Sequence, residues 1–279
     1  MEVVGTNGFD PRDFAAQAKE AGKKAAITMV TFNRWNLTQQ SLASIFENTF
    51  LPYTLTLVDN GSWDDTREKL KELKRAGKID RLILLPENRG IAVGKNFGLQ
   101  ASEGKATWYC CIDNDIEVGL HWLSYLCYAS TLLNLGVVGS NVQRFSLPGG
   151  SLRHKVTPWK AVEGVILDNC PNPGGIYVFS AATFKKLGYF LERGLYGLED
   201  GELCMRQKRH GLRSAYVRNV VCEELPDEKF LMPHGVSYRA FKTATHDAMR
   251  AQARGTKERF THYETAVTLQ DVEECTWRP

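Results

Sequence analysis

Apolar and polar residues follow two different periodicities along the first half of the chain. Short apolar runs have the composition of buried strands, and segments with helical spacing of apolar residues lie between them. The predicted strands are residues 25–31, 54–58, 82–85 and 107–112. Strands that alternate with helices favour parallel pairing through right-handed crossovers. The pattern therefore predicts an α/β fold with a doubly wound, mainly parallel sheet over residues 25–120.

Capping residues mark where the helices of this half begin. Asn36 is expected to cap the helix after the first strand, and Asp64 or Asp65 opens a charged helix after the second. A further helix follows Gly90, and an apolar-periodic segment from Leu120 predicts another. These helices supply the crossovers that a parallel sheet requires.

Three glycines define one face of the helix that follows Gly90. Gly90, Gly94 and Gly98 are four residues apart, so they share a face. For Gly94 and Gly98 the favoured interpretation is close packing of the helix against the sheet. The Gly-Lys-Ser/Thr ending of a phosphate loop is missing, although Lys95 could reach a phosphate as a point charge.

The pattern changes after residue 135, where shorter and mixed elements are expected. The predicted strands are residues 136–143, 153–159, 161–167, 174–180 and 215–221, and the predicted helices are residues 181–187, 199–209 and 237–254. We find no internal repeat. The chain divides on this pattern into residues 1–24, 25–120, 121–225 and 226–279, the last being a helical extension with a polar tail.

Two carboxylates and an amide follow the fourth strand, in the sequence Asp113-Asn114-Asp115. The carboxyl ends of strands are where open α/β sheets bind ligands. The oxygen donors have no imidazole nearby, and the neighbouring thiols are expected to be buried in the strand. Such hard donors suit Mg²⁺ or Mn²⁺ that carries substrate phosphates. The alternative interpretation is an Asx turn or a cap of the next helix.

Composition restricts the class of protein without naming its partner. The 279 residues, 43% of them apolar, can build a substantial core, and a net charge of +3 is too small to indicate a nucleic acid or a membrane. Neither a signal peptide nor a membrane-spanning run is expected. Seven cysteines without zinc or disulfide spacing favour a reduced, cytoplasmic protein, with peripheral attachment to a membrane left open.

Several motifs in one order give the chain its resemblance to a known family. They are residues 30–34 (Val-Thr-Phe-Asn-Arg), 58–65 (Val-Asp-Asn-Gly-Ser-Trp-Asp-Asp), 88–98, 113–115 (Asp-Asn-Asp, a DxD motif) and 198–206, an acidic helix that begins Leu-Glu-Asp. Over roughly residues 25–220 the chain resembles the family-two glycosyltransferases, inverting enzymes with the GT-A fold. The resemblance makes residues 25–120 the nucleotide-sugar-binding half and residues 121–225 the acceptor-binding and catalytic half.

The resemblance also implies roles for individual residues. The donor-binding residues would be Thr31, Asn33, Arg34, Asp59, Asn88, Lys95, Asp113 and Asn114. Asp115, Asp113 and His234 would hold the metal, Asp200 would be the general base, and Glu199 would bind the acceptor. Other interpretations stay open: Asp59 also suits an Asx turn, and Glu199 and Asp200 also favour a helix N-terminus electrostatically.

The function that the resemblance implies is metal-dependent, inverting sugar transfer. The donor would be a nucleotide-diphosphate sugar, with UDP favoured, the cofactor Mn²⁺ or Mg²⁺, and the acceptor a hydroxyl of a saccharide, lipid-linked sugar, protein or modified nucleobase. Nucleic acid enters only as an acceptor. One alternative is a nucleotidyltransferase acting on sugar phosphates, although a Gly-rich basic signature after the first strand is missing. Another is a non-catalytic module that binds a nucleotide.

Overall fold

The fold is described from a computed structural model that covers most of the chain. The described residues are 3–4, 8–132, 135–144, 151–152, 155–170, 172–192, 199–226, 261–269 and 273–274. Their helices are α1 (Pro11–Glu20), α2 (Trp35–Asn48), α3 (Thr66–Arg75), α4 (Ile91–Ser102), α5 (Trp122–Ser130), α6 (Ala181–Leu187) and α7 (Glu199–Arg209). Their strands are β1 (Val3–Val4), β2 (Ala25–Thr31), β3 (Tyr53–Asp59), β4 (Arg81–Leu84), β5 (Trp108–Asp113), β6 (Ile116–Val118), β7 (Leu135–Gly139), β8 (Gln143–Arg144), β9 (Ser151–Leu152), β10 (Pro158–Val162), β11 (Val165–Asn169), β12 (Ile176–Ser180), β13 (Arg213–Val217), β14 (Cys222–Glu224) and β15 (Glu273–Glu274).

One large sheet carries the fold, with the strand order β1-β10-β11-β13-β7-β12-β5-β2-β3-β4-β15. β5, β2, β3 and β4 pair in parallel, as the alternation of strands and helices predicted. β12 runs antiparallel to β5 and β7 and begins the mixed half of the sheet. A smaller sheet has the order β6-β14-β8-β9. The predicted α/β class with a smaller mixed region is confirmed.

Helices cover both faces of the sheet, and alternate residues of β2 point to different layers. Ile27 and Met29 pack in one core cluster with Leu42 of α2, whereas Val30 packs in another with Phe97 of α4. α1, α3 and α5 also contribute to the first cluster. The sheet is therefore buried on both sides, which is why β2 reads as a continuous apolar run.

The glycines of α4 bring this helix unusually close to β2. A Cβ atom at Gly94 would lie 2.7 Å from Val30 Cγ1, and one at Gly98 would lie 2.1 Å from Thr28 Cγ2. Both distances are far below a normal van der Waals contact, so a larger residue would push the helix away. The packing role predicted for Gly94 and Gly98 is confirmed.

Several local predictions differ from the structure, among them the paired strands expected at residues 153–159 and 161–167, which are β10 (Pro158–Val162) and β11 (Val165–Asn169). α2 begins after Arg34 rather than at a cap formed by Asn36, because the preceding turn adopts left-handed backbone angles that tertiary contacts hold. The short strand β6, directly after Asp115, was not predicted. The strand expected at residues 215–221 ends at Val217 as part of β13, and β14, which follows at Cys222–Glu224 in the smaller sheet, was not predicted.

The last described residues run along α4 and reach the edge of the sheet. The side chain of Gln100 donates to Val267 O at 3.1 Å and accepts from Leu269 N at 2.7 Å. β15 then pairs antiparallel with β4. The predicted helix at residues 237–254 lies outside the described residues, and the four-part division of the chain stays a prediction. Among the described helices, none has both the length and the apolar composition that a membrane span requires.

Candidate active site

The candidate site lies where the parallel strands end. Thr31, the last residue of β2, is in register with Asp59 of β3, and Val30 is in register with Asp113 of β5. Because these strands run in parallel, their carboxyl ends meet at one edge of the sheet. The structure thus brings Thr31, Asp59 and Asp113 to the same edge.

The turn between β2 and α2 is built from two consecutive residues in the left-handed region. Asn33 has a φ of 56° and Arg34 a φ of 63°, a conformation that non-glycine residues seldom adopt. Hydrogen bonds to the turn after β3 hold it: Asn33 N donates to Ser62 Oγ at 2.7 Å, and Arg34 N donates to Asp64 Oδ2 at 2.9 Å. Trp63 N in turn donates to Asn33 Oδ1 at 2.9 Å. The two turns therefore form one unit that fixes the backbone from which Arg34 projects.

The guanidinium of Arg34 lies against the Asp113-Asn114-Asp115 motif. Its Nη2 donates to Asn114 Oδ1 at 2.9 Å and its Nη1 to Asp115 Oδ2 at 3.2 Å. Asn114 Nδ2 donates to Thr38 Oγ1 at 2.9 Å and to Thr31 Oγ1 at 3.4 Å, which fixes the amide with its oxygen toward Arg34. Thr31, Arg34, Asn114 and Asp115, all predicted as site residues, thus form one hydrogen-bonded group.

Asp59 and Asn88 hold the turns of this edge. Asp59 is completely buried, and its carboxylate accepts from Arg67 Nε at 2.8 Å and from Ser62 N at 3.3 Å. Asn88 Oδ1 accepts from Asn60 Nδ2 at 3.1 Å and from Gly90 N at 2.9 Å, which shapes the entry into α4. The Asx-type contacts weighed for Asp59 are present, and its contact with a base stays a prediction.

Lys95 of α4 is the centre of an acidic cluster. Its Nζ lies 2.9 Å from Glu199 Oε1, 3.1 Å from Asp200 Oδ1 and 4.0 Å from Asp113 Oδ1. Its side chain is only 3% exposed. Burial alone would lower the pKa of Lys95, but Asp200, Glu199 and Asp113 together raise it well above the ordinary value of 10.5. Lys95 is therefore a permanent cation that joins the acidic start of α7 to the end of β5.

This environment does not resemble an open phosphate site. Beyond the three carboxylates, the rings of Tyr177 and Phe190 lie 5.3 and 5.4 Å from the Lys95 ammonium. The predicted contact of Lys95 with a donor phosphate stays a prediction. The side chain orders carboxylates in this structure.

Glu199 and Asp200 are adjacent in the chain but sit in different environments. Burial and the neighbouring Asp200 raise the pKa of Glu199 to about 7, although Lys95 opposes this rise. Glu199 Oε2 is buried and has no hydrogen-bond partner among the described residues. Asp200, whose side chain is 19% exposed, accepts from Tyr177 Oη at 2.7 Å as well as from Lys95. Asp200 is thus the carboxylate that an incoming hydroxyl could reach.

The oxygen donors at the end of β5 fit a divalent cation. Asp113 and Asp115 have side chains that are 32% and 11% exposed, and Mg²⁺ and Mn²⁺ are commonly held by one or two carboxylates together with substrate phosphates. Within the described ranges, no group of three or more His, Cys, Asp or Glu side chains could hold a metal without such a substrate. His234, the predicted third ligand, lies outside the described residues.

Sequence reasoning missed several residues that the structure places in the site. Tyr177 bonds to Asp200, Arg67 pairs with Asp59, and Thr38 holds the amide of Asn114. None of these residues adjoins a motif or stands at a characteristic spacing from its partner. No sequence signal could have found them, because the pairs depend on how strands and helices pack.

Comparisons with known proteins agree with this architecture. A family model described as Glycosyl transferase family 2 matches residues 26–187, which is more than half of the chain. The glycosyltransferase AglE of Haloferax volcanii is 27% identical over 129 residues, which are 45% of this chain and 41% of AglE. The chain thus spans less than half the length of this relative.

Two solved structures share the fold. The structure of GalNAc-T7 with UDP, GalNAc and Mn²⁺ superposes with a TM-score of 0.60 at 16% identity, covering 73% of this chain and 44% of that chain. The mannosyltransferase PcManGT of Pyrobaculum calidifontis, in complex with GDP-Man and Mn²⁺, superposes with a TM-score of 0.58 at 17% identity, covering 90% of this chain and 73% of that chain. The predicted GT-A fold is confirmed.

Proposed function

The chain belongs to glycosyl transferase family 2, and on this premise we propose that it transfers a sugar from a nucleoside diphosphate to an acceptor hydroxyl, with inversion at the anomeric carbon. One observation carries the proposal. Lys95 Nζ lies within 4.0 Å of carboxylate oxygens of Asp113, Glu199 and Asp200. The end of β5 and the acidic start of α7 are 86 positions apart in the chain, yet a single side chain joins them. This arrangement places a candidate metal ligand beside a candidate base.

The donor nucleotide would bind at the carboxyl ends of β2, β3 and β5. The residues that would contact it lie at the end of β2 and in the turns of this edge, where open α/β sheets bind ligands. They are Thr31, Asn33, Arg34, Asn88 and Asn114. The solved neighbours contain UDP in one case and GDP-Man in the other, so both nucleotides are candidates, with UDP preferred on the family resemblance. A sugar attached to the second phosphate would then extend toward Asp200.

Asp113 and Asp115 would hold Mn²⁺ or Mg²⁺, as their hard oxygen donors suit. When bound, the metal would stabilise the negative charge that develops on the leaving diphosphate. Arg34 adds a guanidinium at the same edge, suited to paired phosphate oxygens.

Asp200 would take the proton of the acceptor hydroxyl. Tyr177 and Lys95 both donate to its Oδ1, which fixes the orientation of the carboxylate. The family resemblance gives Glu199 the role of binding the acceptor, and its Oε2 is a buried oxygen with no hydrogen-bond partner among the described residues. Adjacent carboxylates in different environments are a common arrangement for dividing such tasks.

The first experiment is a thermal-shift panel of UDP, GDP and ADP, each with and without Mn²⁺. A ligand that binds the folded state raises the melting temperature, so stabilisation by one nucleotide only with metal identifies the donor class. Failure of every nucleotide to stabilise the protein would contradict sugar transfer and favour a non-catalytic module.

The second experiment separates binding from catalysis with D200N. The variant should bind the identified nucleotide and Mn²⁺ as the wild type does, while nucleotide release from the sugar donor falls about 10²- to 10⁴-fold, the usual contribution of a general base. D65N is the matched control, because Asp65 is exposed and its side chain makes no capping hydrogen bond to α3. Retained turnover in D200N would assign the base elsewhere.

A further inference from the structure

Each carboxylate of the Asp113-Asn114-Asp115 motif already faces a cation of this chain. Asp115 Oδ2 lies 3.2 Å from Arg34 Nη1, and Asp113 Oδ1 lies 4.0 Å from Lys95 Nζ. The two cations come from different elements, the turn after β2 and the helix α4. Together they supply two positive charges, the same number that a divalent metal ion would bring.

The position of Arg34 is strongly determined. The two left-handed residues at positions 33 and 34 orient its backbone, and Arg34 N is fixed to Asp64 at 2.9 Å. Its Nη2 donates to Asn114 Oδ1, which is turned toward it because the amide nitrogen is engaged by two hydroxyls. The side chain is only 6% exposed. An exposed arginine that merely lay near a carboxylate would have neither these hydrogen bonds nor this burial.

We propose that Arg34 is a built-in counter-ion that competes with the divalent metal for Asp115 and yields to it when the diphosphate of the donor arrives. The proposal rests on the function proposed above. It makes metal binding and diphosphate binding interdependent, because the diphosphate takes over the guanidinium that leaves Asp115.

The two cations differ in their contacts with the carboxylates that a metal would bind. Lys95 is held by Glu199 and Asp200 at 2.9 and 3.1 Å, so losing Asp113 would leave it well compensated. Arg34, in contrast, occupies an oxygen of Asp115 directly, and a metal at that carboxylate would meet both a competing donor and a like charge. A diphosphate offers the planar guanidinium two oxygens at once, a geometry that arginine favours.

The test measures Mn²⁺ binding without any nucleotide, by the electron paramagnetic resonance signal of free Mn²⁺. R34Q should bind Mn²⁺ on the order of 10- to 100-fold more tightly than the wild type, since a hydrogen bond to a charged group contributes about 1.5–3 kcal/mol. R89Q is the matched control, because Arg89 is exposed in the turn before α4 and its loss removes the same charge. Its Mn²⁺ affinity should stay within about twofold of the wild type, since exposed charges interact weakly.

A second measurement adds inorganic diphosphate. Diphosphate should increase the Mn²⁺ affinity of the wild type more than that of R34Q, since R34Q has no guanidinium to transfer. If R34Q does not fold, R34K is the variant to measure. Lysine lacks the planar pair of donors with which the guanidinium contacts Asn114 and Asp115, so R34K should bind Mn²⁺ more tightly than the wild type by roughly threefold or more.

Two outcomes would overturn the proposal, and they differ from failure of the proposed function. Unchanged or weaker Mn²⁺ binding in the Arg34 variants would mean that Arg34 supports Asp115 rather than competing for it. Wild-type Mn²⁺ affinity in D115N would mean that the metal is not bound at Asp115, which contradicts the proposed metal site itself. With D115N impaired and R34Q unimproved, the metal site stands and the counter-ion proposal fails.

Discussion

Replacing Glu199 by glutamine removes a buried carboxyl group and leaves its size nearly unchanged. In the wild type, Glu199 is 7% exposed, and its Oε1 accepts from Lys95 at 2.9 Å. In E199Q, Lys95 keeps Asp200 and Asp113 as partners, so the cation is not left alone. The substitution therefore isolates the cost of ionising Glu199 in this environment.

The magnitude follows from the pKa of Glu199, which burial and Asp200 raise from 4.5 to about 7. A change of 1 in pKa corresponds to about 1.36 kcal/mol. Ionising Glu199 in the folded protein therefore costs about 3 kcal/mol more than in the unfolded chain. Below pH 4.5 the carboxyl is protonated in both states and this cost is absent. Between pH 4.5 and about 7 the folded state binds more protons than the unfolded state, so the wild type loses stability as the pH rises.

The assay is urea unfolding of wild type and E199Q at pH 5, 6, 7 and 8. Other groups titrate in both proteins, so the difference between their free energies of unfolding reports Glu199 together with the side chains coupled to it. Between pH 5 and pH 8, E199Q should gain about 2.5 kcal/mol relative to the wild type, with most of the change below pH 7. E87Q, which removes an exposed carboxylate outside the cluster, should show no such dependence.

Two results would refute this reasoning. A difference between E199Q and the wild type that stays constant from pH 5 to pH 8 would mean that Glu199 does not titrate in this range. If E199Q instead became less stable relative to the wild type as the pH rises, the ion pair with Lys95 would outweigh the effect of burial on Glu199. In that case the pKa of Glu199 would lie below its ordinary value.

Two further variants test the packing and the charge of the site. G98A should lower the free energy of unfolding by about 1–3 kcal/mol, because its Cβ would lie 2.1 Å from Thr28 Cγ2. The control G201A should be neutral or stabilising, because its Cβ would meet nothing closer than 3.9 Å. Equal losses of the two variants in urea unfolding would refute the packing argument. K95M should cost about 3–5 kcal/mol at pH 7, since it leaves buried carboxylates without their cation. The loss in K95M should be smaller at pH 5, which is below the pKa of about 7 of Glu199, because this carboxyl is then protonated. A loss that does not depend on pH would count against the cluster.

Local patterns predicted much of the fold. β2 was found with its bounds because it is buried on both faces and therefore reads as a largely apolar run without polar alternation. α6 and α7 were also found with their bounds. Where a turn is shaped by distant contacts, the local signal failed: the left-handed pair Asn33 and Arg34 moved the start of α2 away from a cap at Asn36.

The site was predicted less completely, because its contacts join residues that are far apart in the chain. Lys95 was expected to reach a phosphate as a point charge, and the sequence did not show that three carboxylates lie around it. For Asp59 a contact with a base was predicted and stays a prediction, and its partner Arg67 was not foreseen. In both cases the sequence identified the residue and could not identify its neighbour.

The sequence by itself determined the alternation of strands and helices from β2 to β5, the parallel half of the sheet, the close packing of α4 and the family to which the chain belongs. These features depend on local periodicity, on glycine at fixed spacing and on motifs a few residues long. Only the tertiary structure decided that Arg34 lies on Asp115 and that Lys95 joins Asp113 to Glu199 and Asp200. The physical reason is that charge compensation is a property of distance and burial, and both are set by strand order rather than by position along the chain.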